Sequence, residues 1–390
     1  MPDTAASRPV PTALGGLLAL AAAMGIGRFV YTPILPYMAE GVPLDPAAAG
    51  LIASANFFGY LVGALAASVG TLPGGRRRWL LGALLLSAAT TAGMGAAGGM
   101  SAFLLLRFLG GVASAFVLVF SSAIVLDRVA AAGRPGLSAL HFSGVGGGIA
   151  LTAVLVAALA AAGVDWRGQW YASGAATLAC LLAATLLVPA TPDTAAGSGA
   201  DGHRSKAPLS APLLRLIVAY GLYGFGYVIT ATFISVIVRT SSDLRPVEPY
   251  VWLAVGLSAA PSILAWNRVA ARIGAAQAFA FACVLEALGV GLSVIEAGIA
   301  NILLAAVLLG GTFVGIAALG LVEARRQATG DPRRVLAVMT ASFGLGQMVG
   351  PWLAGLGAEL TGSFVLPSLA AAVALLVASA LVLVPARTAP

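Results

Sequence analysis

Three ionisable side chains fall deep inside long apolar stretches of the chain: Arg28, Arg107 and Glu286. A charge near the centre of a hydrocarbon layer costs at least about 2.5 kcal/mol, so each needs a partner or a task. A guanidinium presents a planar fork of N–H donors that matches a carboxylate bidentately, which makes Arg28 and Arg107 a candidate pair for an anionic or zwitterionic solute. The alternative for both is a helix-to-helix contact with an Asn or a backbone carbonyl, and Arg107 is also a candidate for proton coupling. Glu286 is the one acid well inside an apolar stretch and the obvious candidate proton carrier; the alternative is a neutral side chain packed against a neighbour.

Polar tips at helical spacing complete the candidate set. Asn56 and Tyr60 are four residues apart, as are Tyr223 and Tyr227, so each pair shares one helix face. Tyr31 and Gln347 stand beside Gly and Pro residues, where an interrupted helix frees backbone groups for a ligand; Pro33 and Pro36 are equally read as plain kinks. The candidate solute-binding residues are therefore Arg28, Tyr31, Asn56, Tyr60, Arg107, Tyr223, Tyr227 and Gln347. Against this stands the reading in which Asn56 bonds across helices and the rings fill the bundle.

Enzymatic chemistry has no visible machinery: there is no Ser/His/Asp set, no H-E-x-x-H and no carboxylate pair. His141, His203, Cys180 and Cys283 lack metal-ligand spacing, so neither metal nor cofactor is expected. The glycine run from Gly144 to Gly148 lacks the strand, turn and Lys of a phosphate loop, and close helix packing explains it better.

The elements that must hold these residues follow from composition. Of 390 residues, 60% are hydrophobic and 9% charged, with a mean hydropathy of +0.99, whereas a soluble domain is roughly one quarter charged. A lipid bilayer is thus the main solvent, and the net charge of +7 carries no implication of nucleic-acid binding. Apolar stretches long enough to cross a bilayer begin near Pro11, Pro46, Trp79, Ser101, Leu137 and Trp166, then near Ala211, Pro249, Gly274, Ile299, Val335 and Ser363. The first reads as a retained span, since no small-residue cleavage site follows it. Between the two sets, residues 190–210 (ATPDTAAGSGADGHRSKAPLS) are the least apolar window and read as a linker. The expected architecture is an all-α integral membrane protein of twelve transmembrane helices in two six-helix bundles, residues 1–189 and 211–390. Trp166 and Trp170, at one end of the sixth span, read as interfacial anchors.

Orientation follows from Arg and Lys, because short basic loops stay cytoplasmic. One set of loops carries Arg76 to Arg78, Arg128, Arg134, Arg204, Lys206, Arg268, Arg272, Arg325, Arg326, Arg333 and Arg334, and Arg8 and Arg387 flank the same side. The opposite loops hold Arg167, Arg239 and Arg245. Both termini and the linker are therefore expected in the cytoplasm.

The bundles also resemble each other at a shift of roughly 200 positions, as expected of pseudo-symmetric halves. Gly25-Ile26-Gly27-Arg28-Phe29-Val30 faces Gly224-Phe225-Gly226-Tyr227-Val228-Ile229, Gly144-Val145-Gly146-Gly147 faces Gly344-Leu345-Gly346-Gln347, and a basic turn recurs at Gly70 to Arg78 and Arg268 to Gly274.

Over its whole length the chain resembles the major facilitator superfamily. GIGRFVYTPILPYM (Gly25 to Met38), ASANFFGYLVGAL (Ala53 to Leu65) and HFSGVGGGIA (His141 to Ala150) followed by Asp165-Trp166-Arg167 are similar to its bacterial YbfB/YjiJ-type branch. The superfamily's fourth-span Arg and Gly are present as Arg107 and Gly111, but the acid normally found a few residues after Gly63 is replaced by Ala67 and Ser68. The resemblance implies two bundles rocking around a midplane cavity lined by spans one and four, in a monomer of the bacterial cytoplasmic (inner) membrane. It further implies that a small organic solute is moved at the expense of a proton gradient, with export favoured over uptake, and that Arg76, Arg77 and Arg78 with Asp127 form a cytoplasmic gate. The rival readings are a multidrug/proton antiporter and a membrane sensor or scaffold that binds a ligand without moving it.

Overall fold

The computed structural model describes residues 9–68, 73–189, 209–295, 298–328 and 332–384. Most of the expected linker, with His203, Arg204 and Lys206, lies outside them, as do Arg8 and Arg387. Helix is the one element that satisfies every backbone group within a single segment in lipid, and among the described residues every span is helical. The first span comprises α1 (Pro9–Leu20), a π-helical turn (Ala21–Ile26) and α2 (Tyr31–Gly41). Spans two to seven are α3 (Pro46–Ala67), α4 (Arg76–Ala96), α5 (Met100–Ala131), α6 (Leu137–Ala161), α7 (Trp166–Leu187) and α8 (Ala211–Thr240). Spans eight to twelve are α9 (Glu248–Ile273), α10 (Ala275–Ile295), α11 (Ile299–Gln327), α12 (Pro332–Thr361) and α13 (Val365–Leu383). Among the described residues, twelve helices are long and apolar enough to cross a membrane.

Local chemistry sets where they begin. Asp45 caps α3 by accepting from the Ala48 N–H at 2.6 Å, Asp165 caps α7 from Gly168 N–H at 2.9 Å, and Ser210 caps α8. Pro46 and Pro212 occupy the first turns that follow, where a missing N–H costs nothing.

Helices α1 to α7 pack mainly on one another, as do α8 to α13, and the main seams between the groups are α3 with α12, α6 with α9, and α2 with α8. Within each group, small residues let backbones touch. A Cβ on Gly25 would lie 2.4 Å from Gly148 Cα, and one on Gly346 would lie 2.1 Å from Gly221 O. The first of these contacts joins spans one and five, the second joins spans seven and eleven, so the recurring glycine patches occupy corresponding contacts.

The expectation for Trp166 and Trp170 is corrected. Both are buried in the first bundle, Trp170 beside Tyr31 and Trp166 edge-on to Phe103, because the start of α7 packs inward against α2 and α5. Large apolar side chains that remain exposed, such as Leu182, Leu186 and Leu366, supply the lipid-facing surface instead.

Gly256 tests the seam between α6 and α9. Its Cβ would stand 2.3 Å from Ala150 N, a backbone atom that cannot turn aside. Gly256→Val is expected to destabilise by about 1–3 kcal/mol, as overpacked sites do, read as a lower melting temperature in detergent, while Gly147→Ala, which meets open space, is expected to leave it unchanged.

Candidate functional site

The site begins with a break in the first span. Gly27 N–H and Phe29 N–H reach back five residues to Ala22 O and Met24 O, as a π-turn requires. Pro33 has no N–H for Phe29 O, and Thr32 N–H serves that carbonyl at 3.2 Å rather than continuing to Arg28 O. The carbonyls of Gly27 and Arg28 are taken instead by Arg107, whose two terminal nitrogens donate to them at 3.0 Å each. Asn56 in turn donates to Arg107 O at 2.9 Å and ties α3 to α5.

Arg28 is turned to the other bundle. Its guanidinium donates to Gln347 Oε1 at 2.9 Å, and Gln347 Nε2 donates to the Tyr227 hydroxyl. Its Cζ stands 4.2 Å from the Tyr60 ring centre, 4.7 Å from Phe57 and 5.5 Å from Phe29, distances at which the ring faces attract a cation. Arg28 is 3% exposed, its Nε has no hydrogen-bond partner, and among the described residues no carboxylate pairs with it. Further rings close the centre: Tyr227 lies almost parallel to Phe313 and Phe343, at interplanar angles of 10° and 4°.

The eight expected solute-binding residues thus divide. Arg28, Tyr60, Tyr227 and Gln347 converge where the bundles meet. Arg107, Asn56, Tyr31 and Tyr223 stand behind them and each donates to a backbone carbonyl, though Arg107 Nε and Asn56 Oδ1 have no partner: Tyr31 donates to Ala49 O at 2.9 Å, and Tyr223 to Phe313 O. The paired-guanidinium clamp is therefore corrected to a single facing guanidinium, because the break in span one leaves two carbonyls that only Arg107 reaches. Phe29, Phe57, Phe313 and Phe343 join the site without having been singled out; their type alone does not separate a cavity ring from a packing ring.

Glu286 is fully buried and faces Thr312 and Tyr223. The expected gate residues form contacts inside the first bundle: Arg76 pairs with Asp127 at 2.6 Å, and Arg77 donates to Val188 O and Thr185 O. Arg78 is exposed beside them. These contacts brace α4 against α5 and α7, and a gate between bundles needs partners from both.

A contact between bundles does exist at the end opposite the chain's described termini. Arg239 on α8 binds Glu40 on α2 at 2.9 Å and Glu248 on α9 at 3.0 Å, with its Cζ 4.0 Å from the Tyr37 ring centre. Beneath it, Thr32 donates to Ala231 O at 2.7 Å. Both cross-bundle pairs are separated by 199 residues, the shift of the internal repeat, so spans one and seven touch at corresponding positions. That was the available signal: an acid and an arginine at matching repeat positions, Glu40 and Arg239. A cavity of about 530 Å³ lies beside this end among α3, α8, α10, α12 and α13, and Arg28 is not part of its lining.

A family model described as "Uncharacterised MFS-type transporter YbfB" matches residues 20–383. The chain belongs to this family of the major facilitator superfamily, and it is a multi-pass membrane transporter. Two solved structures share the fold: a point mutant of the nucleoside transporter NupG, at a TM-score of 0.76 and 15% identity over 94% of this chain and 98% of that one, and NupG itself, at 0.69 and 16% over 96% and 98%. Comparison with curated protein sequences gave no significant match.

Arg239→Ala removes the shared cation and leaves Glu248 buried without it. Loss of a pair between fully exposed and fully buried shifts the balance toward opening of this end by about tenfold. The readout is the labelling rate of a cysteine at Thr32, expected to rise in the variant.

Proposed function

We propose that this transporter moves a small anionic or zwitterionic organic solute through the bacterial cytoplasmic membrane, with both termini in the cytoplasm. The observation that carries the solute class is Arg28: a buried guanidinium between two bundles, with an unpartnered Nε and, among the described residues, no carboxylate of the protein beside it. A buried cation without a counter-ion is stabilised by an anion that brings one, and a carboxylate fits the guanidinium fork. Ring faces on three sides exclude water and strengthen that attraction.

Alternating access follows as a rocking of α1 to α7 against α8 to α13 about the paired seams. The conformation described is held by Arg239 at the end opposite the termini, and Arg28 is itself buried, so a solute reaches it only when the bundles part. The sequence has no nucleotide-binding motif, and an ion gradient, taken as protons, is the energy source; export is the favoured direction. Arg107 acts by position, holding the broken span so that Arg28 faces the centre.

A second reading is a neutral solute with a flat ring, of the kind named for NupG. The near-parallel Tyr227, Phe313 and Phe343 rings favour it. Flux in proteoliposomes under an imposed pH gradient separates the two, with pooled carboxylates, nucleosides and lipophilic cations compared. Carboxylate flux is expected, with the half-saturation concentration rising about 10- to 100-fold in Arg28→Ala, as loss of hydrogen bonds to a charged group implies. Arg28→Lys is expected to recover part of it, because the charge remains and the fork does not. Nucleoside flux indifferent to Arg28 overturns the anion reading; cation flux points to drug antiport; ligand binding without flux points to a sensor.

A further inference from the structure

Glu286 sits near the middle of α10, the twelfth of its 21 residues, about 15 Å from either end of the helix. It is fully buried, and neither carboxyl oxygen has a hydrogen-bond partner. Four helices pack around α10: α8, α9, α11 and α13. The groups within electrostatic or hydrogen-bonding range of Glu286 are Tyr223 and Tyr227 from α8, Thr312 from α11 and Cys283 from its own helix. The ionisable residues of α9 (Glu248, Tyr250, Arg268, Arg272) occupy its end turns, those of α11 (Glu323, Arg325, Arg326) its last turns, and α13 has none. Among the described residues no cation faces the carboxyl.

An ionised carboxylate in such a place, with no cation beside it and the nearby hydroxyls donating to backbone carbonyls, costs several kcal/mol. A packing role does not explain the residue, since an apolar side chain fills the same volume without that cost. What an acid has and an apolar side chain lacks is a proton to release.

We propose that Glu286 carries the coupling proton and that its charge is felt at Arg28 through Tyr223, Tyr227 and Gln347; the second part rests on the transport reading above. The intervening groups are in continuous contact. Tyr223 stacks on Tyr227 with ring centres 5.2 Å apart, Tyr227 accepts from Gln347, and Gln347 accepts from Arg28. Tyr227 stands within electrostatic range of Glu286 on one side and Arg28 on the other. The two hydroxyls that face Glu286 are engaged elsewhere: Thr312 donates to Leu308 O at 2.6 Å, and Tyr223 to Phe313 O.

When the proton leaves for water, the carboxylate draws one of these hydroxyls toward itself. Turning Tyr223 from Phe313 O loosens α8 from α11 and disturbs the Tyr227 stack, and with it the Gln347 amide that holds Arg28. When a proton returns from water to the carboxylate oxygen, the hydroxyls go back to their carbonyls. One proton enters and one leaves per cycle, and no other bond is made or broken.

The test uses the full-length protein in lipid, in two measurements. Infrared difference spectra between acidic and alkaline buffer are expected to show a protonated-carboxyl band that Glu286→Gln lacks and that Cys283→Ala keeps. Flux of labelled lactate, benzoate and nicotinate is then compared with and without a pH gradient. In Glu286→Gln, accumulation driven by the gradient is expected to fall about tenfold further than exchange at equal pH. A band that persists in Glu286→Gln, or accumulation equal to wild type, overturns the proposal. Absence of flux in the wild type overturns the carboxylate transport reading and leaves the protonation of Glu286 to the infrared band. If Glu286→Gln does not purify as a single species, Tyr223→Phe decides the relay: a changed pH dependence of accumulation supports it, and an unchanged one overturns it.

Discussion

Everything at the centre of this protein depends on two carbonyl oxygens. A π-turn followed by Pro33 interrupts the first span and leaves Gly27 O and Arg28 O without backbone donors inside the membrane, where water cannot serve them. Arg107 meets both, and being charged it binds them more strongly than an amide would. Asn56 then fixes the helix that carries Arg107. The chain from Asn56 through Arg107 to the backbone of Arg28 is thus a rigid mount, and the Arg28 side chain is what it presents. A helix without the break would need no Arg107 and would carry Arg28 at a different angle.

The second organising fact is the repeat. Spans one and seven touch at residues separated by 199 positions, in Thr32 with Ala231 and in Glu40 with Arg239. Corresponding residues that touch must lie close to the axis relating the halves. The chemistry there is asymmetric: an acid faces an arginine, and Arg28 in one half looks onto Tyr227, its counterpart in the repeat alignment, by way of Gln347. Duplication supplied matching positions, and divergence made them complementary.

Much of the fold was legible in the sequence, because the bilayer imposes a length and a hydropathy that each span states locally. The starts at Pro46, Leu137, Trp166, Ala211 and Ile299 coincide with helix starts for that reason. The site was legible only in part. Arg28 and Glu286 stood out because a charge in an apolar run is costly wherever it points. Which way it points is a tertiary matter, and so Arg107 and Tyr223 read the same as Arg28 and Tyr227 until the backbone carbonyls that engage them were placed. Trp166 and Trp170 were misread for a related cause: an indole near a span end suits the interface and the core alike, and only packing against Tyr31 and Phe103 decides. The Arg239 cluster escaped because its three members lie at span ends, where charge is ordinary.

On the proposed reading, the bond between Arg28 and Gln347 ties solute binding to movement. Gln347 belongs to α12 and Arg28 to the opposite bundle, so the bond crosses the plane along which the halves must part. A solute carboxylate that takes the guanidinium displaces the amide. A hydrogen bond to a charged group contributes about 1.5–3 kcal/mol, and one of those holding the halves together is thereby transferred to the solute. The outer cluster at Arg239 remains, so binding alone does not open that end; it lowers the cost of opening it. An empty carrier retains both ties. Obligatory coupling between occupancy and rocking needs no more than this, since a ligand shifts a two-state equilibrium by its difference in affinity for the two states.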